Sequence, residues 1–484
     1  MTVVNEILNG NWIFASFITC IVLFIFIFLF FLIVRRYANS NKPAKSIGFF
    51  HPYANTCGGG ERVLWCAIKA LDGTGVRVFI YTGDVETDDE ILTRCTKRFN
   101  IALKNKPSFI RLKRRELLEA ASWPRFTMLG QSFGSIILAF YALLQFSPDI
   151  FIDTTGCAFT LPIAYMFGCR TAAYVHYPTI SEDMLKRVAD RRPTYNNNGE
   201  ITNSTVRTYF KLVYYNLFAV AYGFAGYFTD VVMVNSSWTA GHIRSIWKRD
   251  KADAHIVYPP CDTVRLQKLE LGKRSRVVIS IGQYRPEKDQ RLQIDAMVSL
   301  LSDDRRRKKF GDVKLVIIGS CRNPDDDALA DSLVHYAKEK NMSKNVEILR
   351  NVSWDDLVAW LGKAEAGIHT MWMEHFGIGV VEMQAAGAIP IAHRSAGPKM
   401  DIVVPSYNYK TDEATSNKLA TGFLAEKASE YAAAMESIFS MSEENKSRIR
   451  KNGRKHASEC FSEDLFCNRF VQCLGTILKM KKDE

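Results

Sequence analysis

The first eleven residues, MTVVNEILNGN, contain no lysine or arginine. That excludes the basic start of a cleaved secretory signal. Residues 12–34 nevertheless form a 23-residue apolar run without a charge (WIFASFITCIVLFIFIFLFFLIV). No C-x-x-C pair occurs among the eleven cysteines, and their number is odd. Neither a zinc site nor a disulfide framework is supported, and free thiols in a reducing compartment are expected. Short-period repeats and extended low-complexity segments are missing too, which sets aside solenoids and disordered tracts. So is any nucleic-acid recognition module, and no nucleic-acid partner is expected.

What is present begins with the apolar run, long enough to span a bilayer with some tilt. Arg35 and Arg36 close it, with Lys42 and Lys45 just behind. The positive-inside rule then predicts a single-pass transmembrane helix over 12–34, residues 1–11 in the lumen and everything after in the cytosol. The ending Lys481-Lys482-Asp483-Glu484 resembles a dilysine retrieval signal of endoplasmic reticulum membrane proteins. Net charge is +12, with basic runs at 111–115, 186–192, 273–276 and 305–309. Each alone is an ordinary solvated face; together they suit an anionic membrane surface or a phosphorylated substrate.

A chain of 484 residues should hold more than one core. Apolar runs at 46–50, 76–81, 149–153, 171–175 and 231–235 alternate with helical patterns, the rhythm of a doubly wound parallel sheet. The stretch Val257-Tyr258-Pro259-Pro260-Cys261-Asp262 interrupts it, because paired prolines stop both helix and strand. Further strands are expected at 277–282, 314–319, 346–349, 366–369 and 388–392. The fold class is therefore α/β: a first Rossmann-like domain over 45–258, a linker over 259–275, a second over 276–458, and a C-terminal helix and tail over 459–484. Residues 129–146 and 212–228 are aromatic-rich, and their pattern suits a buried core helix and a membrane-dipping helix equally. Residues 196–198 are read as a loop.

The segment His369-Thr-Met-Trp-Met-Glu374-His375-Phe376-Gly377-Ile378-Gly379-Val-Val-Glu382 carries the chemistry. A glycine-spaced turn lies between two carboxylates and opens a small-residue helix. Its backbone N–H groups and positive end can face a phosphate, which suits a sugar held on a diphosphate. A second loop, Gly282-Gln283-Tyr284-Arg285-Pro286-Glu287-Lys288, ends a strand and offers two cations for a diphosphate. A third is His51-Pro-Tyr53-Ala-Asn55-Thr-Cys57-Gly58-Gly59-Gly60. No Lys-Ser/Thr follows its glycines, so it is not a Walker loop, but the backbone can approach a ligand closely there. His176 follows a strand in Tyr174-Val-His176-Tyr177-Pro178. The loops at 396–399 and 421–423 are expected to close the same cleft.

Glu374…Glu382 is an E-x7-E motif. With the hinge at 258–262 and the Asn235-Ser236-Ser237-Trp238-Thr239 loop, it resembles the retaining glycosyltransferases of family 4. Their GT-B fold sets two Rossmann-like domains about a cleft. The blocks HPYANTCGGGERVLWCAI, YVHYPTISEDML, VNSSWT, VYPPCD, SIGQYRPEK and MWMEHFGIGVVE narrow the resemblance. They are similar to the GDP-mannose-dependent α-1,2-mannosyltransferases of dolichol-linked oligosaccharide assembly. The resemblance implies transfer of the fourth and fifth mannoses to Man3GlcNAc2-PP-dolichol on the cytosolic face of the endoplasmic reticulum membrane, beside other mannosyltransferases of the pathway. It implies GDP-mannose as donor, no cofactor and no metal.

By position, the resemblance puts Glu374 beside the transferred sugar and Glu382 on the ribose. Lys288 falls on the diphosphate, Gly59 and Gly60 face it, and His176 lies near the sugar. The backbone of Phe376, Gly377 and Ile378 meets sugar hydroxyls. Relatives carry arginine where Gln283 stands, and here Arg285 is shifted by two. Lys399 stands where many relatives have glutamate and receives no role. Two alternatives remain: a related transferase of the same pathway with another donor or acceptor, and a catalytically silent membrane scaffold.

Overall fold

The computed structural model describes residues 45–56, 58–181, 183–184, 205–248, 254–405 and 419–479, with isolated positions between 18 and 36. Most of the apolar run at 12–34, the 196–198 segment and the 481–484 tail lie outside the described residues.

Two wholly parallel sheets form the frame. The first contains β1 (Ser46–Phe50), β2 (Arg77–Thr82), β3 (Ser108–Arg111), β4 (Ile150–Asp153), β5 (Arg170–Val175), β6 (Val231–Val234) and β7 (Ala254–Ile256), in the order β3-β2-β1-β4-β5-β6-β7. The second contains β8 (Ser275–Ile281), β9 (Lys314–Gly319), β10 (Val346–Arg350), β11 (Ala364–His369), β12 (Ile389–His393) and β13 (Phe423–Ala425), in the order β10-β9-β8-β11-β12-β13. β1, β4 and β11 are buried along their whole length. Helices cover both faces of such a sheet, so its central strands read as continuous apolar runs.

In each sheet the strand order reverses once, between β1 and β4 and between β8 and β11. Chains leaving the carboxyl ends of those strands diverge and leave a crevice where ligands bind. The His51 loop follows β1 and the Thr154 loop follows β4. The Lys288 loop follows β8 and the Glu374 loop follows β11. Residues far apart in sequence therefore converge at two switch points.

Seven helices position the rest: α1 (Gly59–Leu71), α2 (Thr127–Gln145), α3 (Thr205–Tyr227), α4 (Ser237–Ile246), α5 (Ile378–Ala386), α6 (Glu443–Phe461) and α7 (Glu463–Lys479). α7 crosses back to the first sheet. Its Phe466, Phe470, Leu474 and Ile477 complete the core around Phe49, Trp65 and Tyr174. Glu463 accepts hydrogen bonds from Arg62 (3.1 Å) and Lys69 (2.6 Å) on α1.

α2 and α3 hold the two aromatic-rich stretches. Each buries one face, Leu138 and Leu143 on α2 and Phe218 and Tyr222 on α3. The other faces leave Leu129, Phe133, Tyr141, Leu217, Val220, Phe224 and Tyr227 exposed. The equal weighting of core helix and membrane-dipping helix thus resolves into one face for the core and one that is uncovered. α2 is, among the described residues, the one helix long and apolar enough to cross a membrane. The 421–423 loop also differs from expectation: Phe423 begins β13, the edge strand beside β12.

Candidate active site

Two loops of the second domain meet first. The Lys288 ammonium donates to Glu374 Oε2 at 2.5 Å, and His369 Nε2 lies 3.1 Å from the same oxygen. Gln293 Nε2 donates to the Thr370 hydroxyl at 2.9 Å, and that hydroxyl donates to the Lys288 carbonyl at 2.9 Å, locking the β8 and β11 loops together. Burial works against the charge on Glu374. The Lys288 ammonium and the His369 hydrogen bond outweigh it and hold the carboxyl well below the usual carboxylate range.

The turn around Glu374 is held in place by the loop at Gly397. Met373 and Gly377 both have positive φ, 57° and 109°. Gly397 N–H donates to the Glu374 carbonyl at 2.9 Å. A Cβ on Gly397 would lie 2.5 Å from the Phe376 carbonyl oxygen and 2.6 Å from the Phe376 Cα, so only glycine fits. α5 then starts at Ile378, capped by Gly377. The first turn of a helix leaves its leading N–H groups without intrahelical partners, and here they open on the turn.

Glu382 stands one turn into α5 and accepts no hydrogen bond from any described residue. Burial pushes its pKa up to about 7, against the pull of Arg62 and Arg98. A half-buried carboxylate without donors is suited to accept hydrogen bonds from a ligand's hydroxyls.

The first domain supplies the facing wall. Glu61 accepts from Gly58 N–H at 2.6 Å and from the Thr56 hydroxyl at 2.5 Å, fixing the glycine loop. Burial raises its pKa, but nearby His51 and the Thr56 hydroxyl prevail and hold it at about 2. His51 Nδ1 lies 2.7 Å from the Thr154 hydroxyl and so ties the β1 and β4 loops together. A Cβ on Gly59 would come within 3.0 Å of Ile378 Cδ1, and one on Gly60 within 3.8 Å of His176 Nε2. The glycine loop therefore lies directly against both His176 and the start of α5. His176 Nε2 lies 3.1 Å from the Thr154 carbonyl, to which it donates. Burial and neighbouring His51 push its pKa down to about 4, so the ring is neutral near pH 7 and Nδ1 remains an acceptor.

The structure divides the sequence-predicted residues into two groups. Arg285, Lys288 and Glu374 line an open interdomain cavity of about 1680 Å³, together with Tyr177, Trp238 and His375. Arg285 is 3.9 Å from Glu287, with its side chain partly exposed to this cavity. Gly59, Gly60, His176, Ile378 and Glu382 do not line it. The Phe376 ring is buried against Tyr258 and Phe461, so only its backbone can meet a ligand. A second cavity of about 880 Å³, beside Asp295 and Asn345, holds none of these residues.

Sequence reasoning gave no role to His369, His375, Tyr177 or Asp401. His369 is the last residue of β11, and that position was the available signal. Asp401, two residues past Lys399, accepts from Ser237 N–H (3.0 Å) and Tyr258 OH (2.9 Å) and so caps α4 from the other domain.

Comparison with known proteins agrees with this architecture. Residues 44–247 match the family described as "ALG11 mannosyltransferase N-terminus", and residues 263–456 match "Glycosyl transferases group 1". The mouse GDP-Man:Man(3)GlcNAc(2)-PP-Dol alpha-1,2-mannosyltransferase is 44% identical over 450 residues, 91% of this chain and 89% of that protein. The human protein of the same name is 43% identical over 456 residues, 92% and 90% of the two chains. Among solved structures, a glycosyltransferase from Rickettsia africae superposes with a TM-score of 0.57 at 16% identity, covering 91% of this chain and 99% of that one. Sucrose-phosphate synthase from Thermosynechococcus elongatus reaches 0.60 at 15% identity, covering 90% and 100%. These structures share the GT-B-like fold of two parallel sheets. With its glycine loop, paired carboxylates and interdomain cleft, the chain belongs to the family of GDP-Man:Man(3)GlcNAc(2)-PP-Dol alpha-1,2-mannosyltransferases.

Proposed function

We propose that this protein transfers mannose from GDP-mannose, with retention and in α-1,2 linkage, to Man3GlcNAc2-PP-dolichol and then to the Man4 product. The observation that carries the site assignment is the convergence of Lys288 and Glu374 at the second switch point, beside the capped start of α5. Glu382 accepts the ribose hydroxyls. The leading amides of α5 and the Lys288 ammonium face the β-phosphate, where negative charge grows as the C1–O bond breaks. Arg285 borders the cavity from the same loop and adds positive charge. Glu374, held ionised, stabilises the positive character at C1. His176 is neutral and acts as a hydrogen-bond acceptor for a mannose hydroxyl; it does not serve as an acid. The acceptor 2-hydroxyl forms the new bond to C1 on the face the phosphate leaves, and its proton passes to that phosphate. No step uses a metal or cofactor.

The acceptor is a lipid, and the protein is placed at the endoplasmic reticulum membrane with its cleft in the cytosol; three features support the membrane seat itself. The exposed rows of α2 and α3 form an apolar, aromatic face. Phe126, Phe210 and Tyr214 carry this face to the mouth of the interdomain cavity. The Phe30 ring, from the apolar run, stacks 6.4 Å from Phe140 of α2. A protein that dips one face into the bilayer meets a water-insoluble acceptor in two dimensions.

The test is turnover by the full-length protein in detergent with GDP-mannose and a synthetic Man3GlcNAc2 lipid, followed by linkage analysis. Two α-1,2-mannoses are expected. Transfer from another nucleotide sugar instead would move the protein to a different step of the pathway. Failure to bind GDP at all would make it a scaffold.

A further inference from the structure

Three consecutive residues touch three different parts of the molecule. Glu374 meets Lys288 and His369 at the site. His375 crosses to the first domain: its ring stacks on Tyr177, with centroids 5.1 Å apart and planes 18° apart, and lies 5.2 Å from Trp238 at 33°. Phe376 packs 5.8 Å from Tyr258 and 5.4 Å from Phe461. Those two rings belong to the hinge, where the chain passes between domains and then returns. Cys261 N–H donates to the Phe461 carbonyl at 3.0 Å and holds the two crossings side by side.

Any rotation that opens the cleft must pull Tyr177 and Trp238 off His375. The same rotation shifts Tyr258 and Phe461 against Phe376. The peptide between has little room to absorb the motion locally, because Gly397 N–H holds the Glu374 carbonyl and the Gly397 backbone packs against Phe376. The Trp238 ring is braced in turn by His242 at 4.4 Å, whose Nε2 pairs with Asp183 at 3.1 Å. Tyr177 is 52% exposed, so its half of the stack can part without uncovering a core.

We propose that the Tyr177–His375–Trp238 stack is a latch that couples closure of the two domains to the placement of the Glu374 carboxylate, with His375 as a positioning residue. The proposal rests on the mannosyl-transfer reading of the same site. It asks nothing of the imidazole nitrogens; the aromatic ring is what matters. Domain closure of this kind commonly gates turnover more than ground-state binding.

The experiment compares Tyr177→Ala, His375→Ala and His375→Phe in the full-length protein. Steady-state turnover with GDP-mannose and the synthetic acceptor is measured alongside GDP affinity by calorimetry. Each aromatic pair contributes a few-fold to about ten-fold in an equilibrium. Tyr177→Ala and His375→Ala should therefore lose about ten-fold in kcat while GDP affinity stays within about two-fold. His375→Phe should recover most of that loss. The latch is overturned if His375→Phe is as impaired as His375→Ala, since the imidazole would then act directly. It is equally overturned if Tyr177→Ala keeps wild-type kcat, or if GDP affinity falls in step with turnover, as a collapsed site would show. Failure of the mannosyl reading is separate: unaltered protein would not use GDP-mannose.

Discussion

Lys288 and Glu374 form an ion pair at 2.5 Å, although one leaves β8 and the other β11. The strand-order reversal between those strands brings them together. The pair is only partly accessible to water, so each charge depends on the other.

Lys288→Ala should lower kcat by about 10²–10³, the scale for losing one preorganised charge-stabilising group. It should also destabilise the second domain by about 1–3 kcal/mol, because Glu374 is left enclosed without its cation. Glu374→Ala should abolish transfer with the fold retained. In Lys288→Ala/Glu374→Ala the stability losses should not add, and thermal melts of all three variants check this.

Glu382 gives a pH signature. Its pKa, raised to about 7, means that it protonates as pH falls through 7 and becomes a weaker acceptor for ribose. GDP affinity should drop between pH 8 and 6, and Glu382→Gln should flatten that dependence. Stability runs the other way. A carboxyl whose folded pKa exceeds its unfolded value favours folding most below the unfolded value, and that contribution disappears as pH rises through 7. Ligand-free Glu382→Gln should therefore melt higher than the parent at pH 8 and differ little at pH 4.

The two glycines behave oppositely. Gly60→Ala meets nothing closer than 3.8 Å and should leave the melting temperature unchanged, yet its methyl would rest against the His176 ring. Turnover should fall several-fold without loss of fold. Gly397→Ala collides with Phe376 backbone at 2.5 Å and should cost both stability and activity. Paired melts and rates separate the cases.

Leu217→Glu and Val220→Glu place charge on the uncovered face of α3, where both residues are exposed. Transfer to the lipid acceptor in liposomes should fall several-fold. Transfer to a water-soluble short-chain acceptor should be unchanged, because neither residue lines the cavity.

Prolonged dialysis against EDTA should leave the rate unaltered, since the charge on the leaving phosphate is assigned to Lys288, Arg285 and backbone amides. A rate that vanished and returned with a divalent cation would reassign that role.

Central strands were legible because a doubly covered parallel sheet writes unbroken apolar runs, as at 231–235 and 314–319. Edge strands β3, β7 and β13 were not, because each is only three or four residues long and periodicity barely registers, whereas the five-residue edge strand β10 was. Glu374, Lys288 and His176 stood out as polar residues in the loops that follow buried runs. Contacts across the cleft could not. Ser237 and Asp401 stand 164 residues apart and meet only through the angle between two domains, which no local pattern encodes. The shift of His176 to about 4 was hidden for the same reason: its cause is the surrounding burial.

The return of α7 to the first sheet sets an order on biosynthesis. The groove under Phe49, whose ring lies 6.3 Å from Phe470, cannot be filled until residues 463–479 have left the ribosome. The first domain to be translated is then among the last to be completed. A message truncated just before Glu463 would yield a protein with an open hydrophobic seam in its first domain, a form suited to recognition by chaperones and proteases.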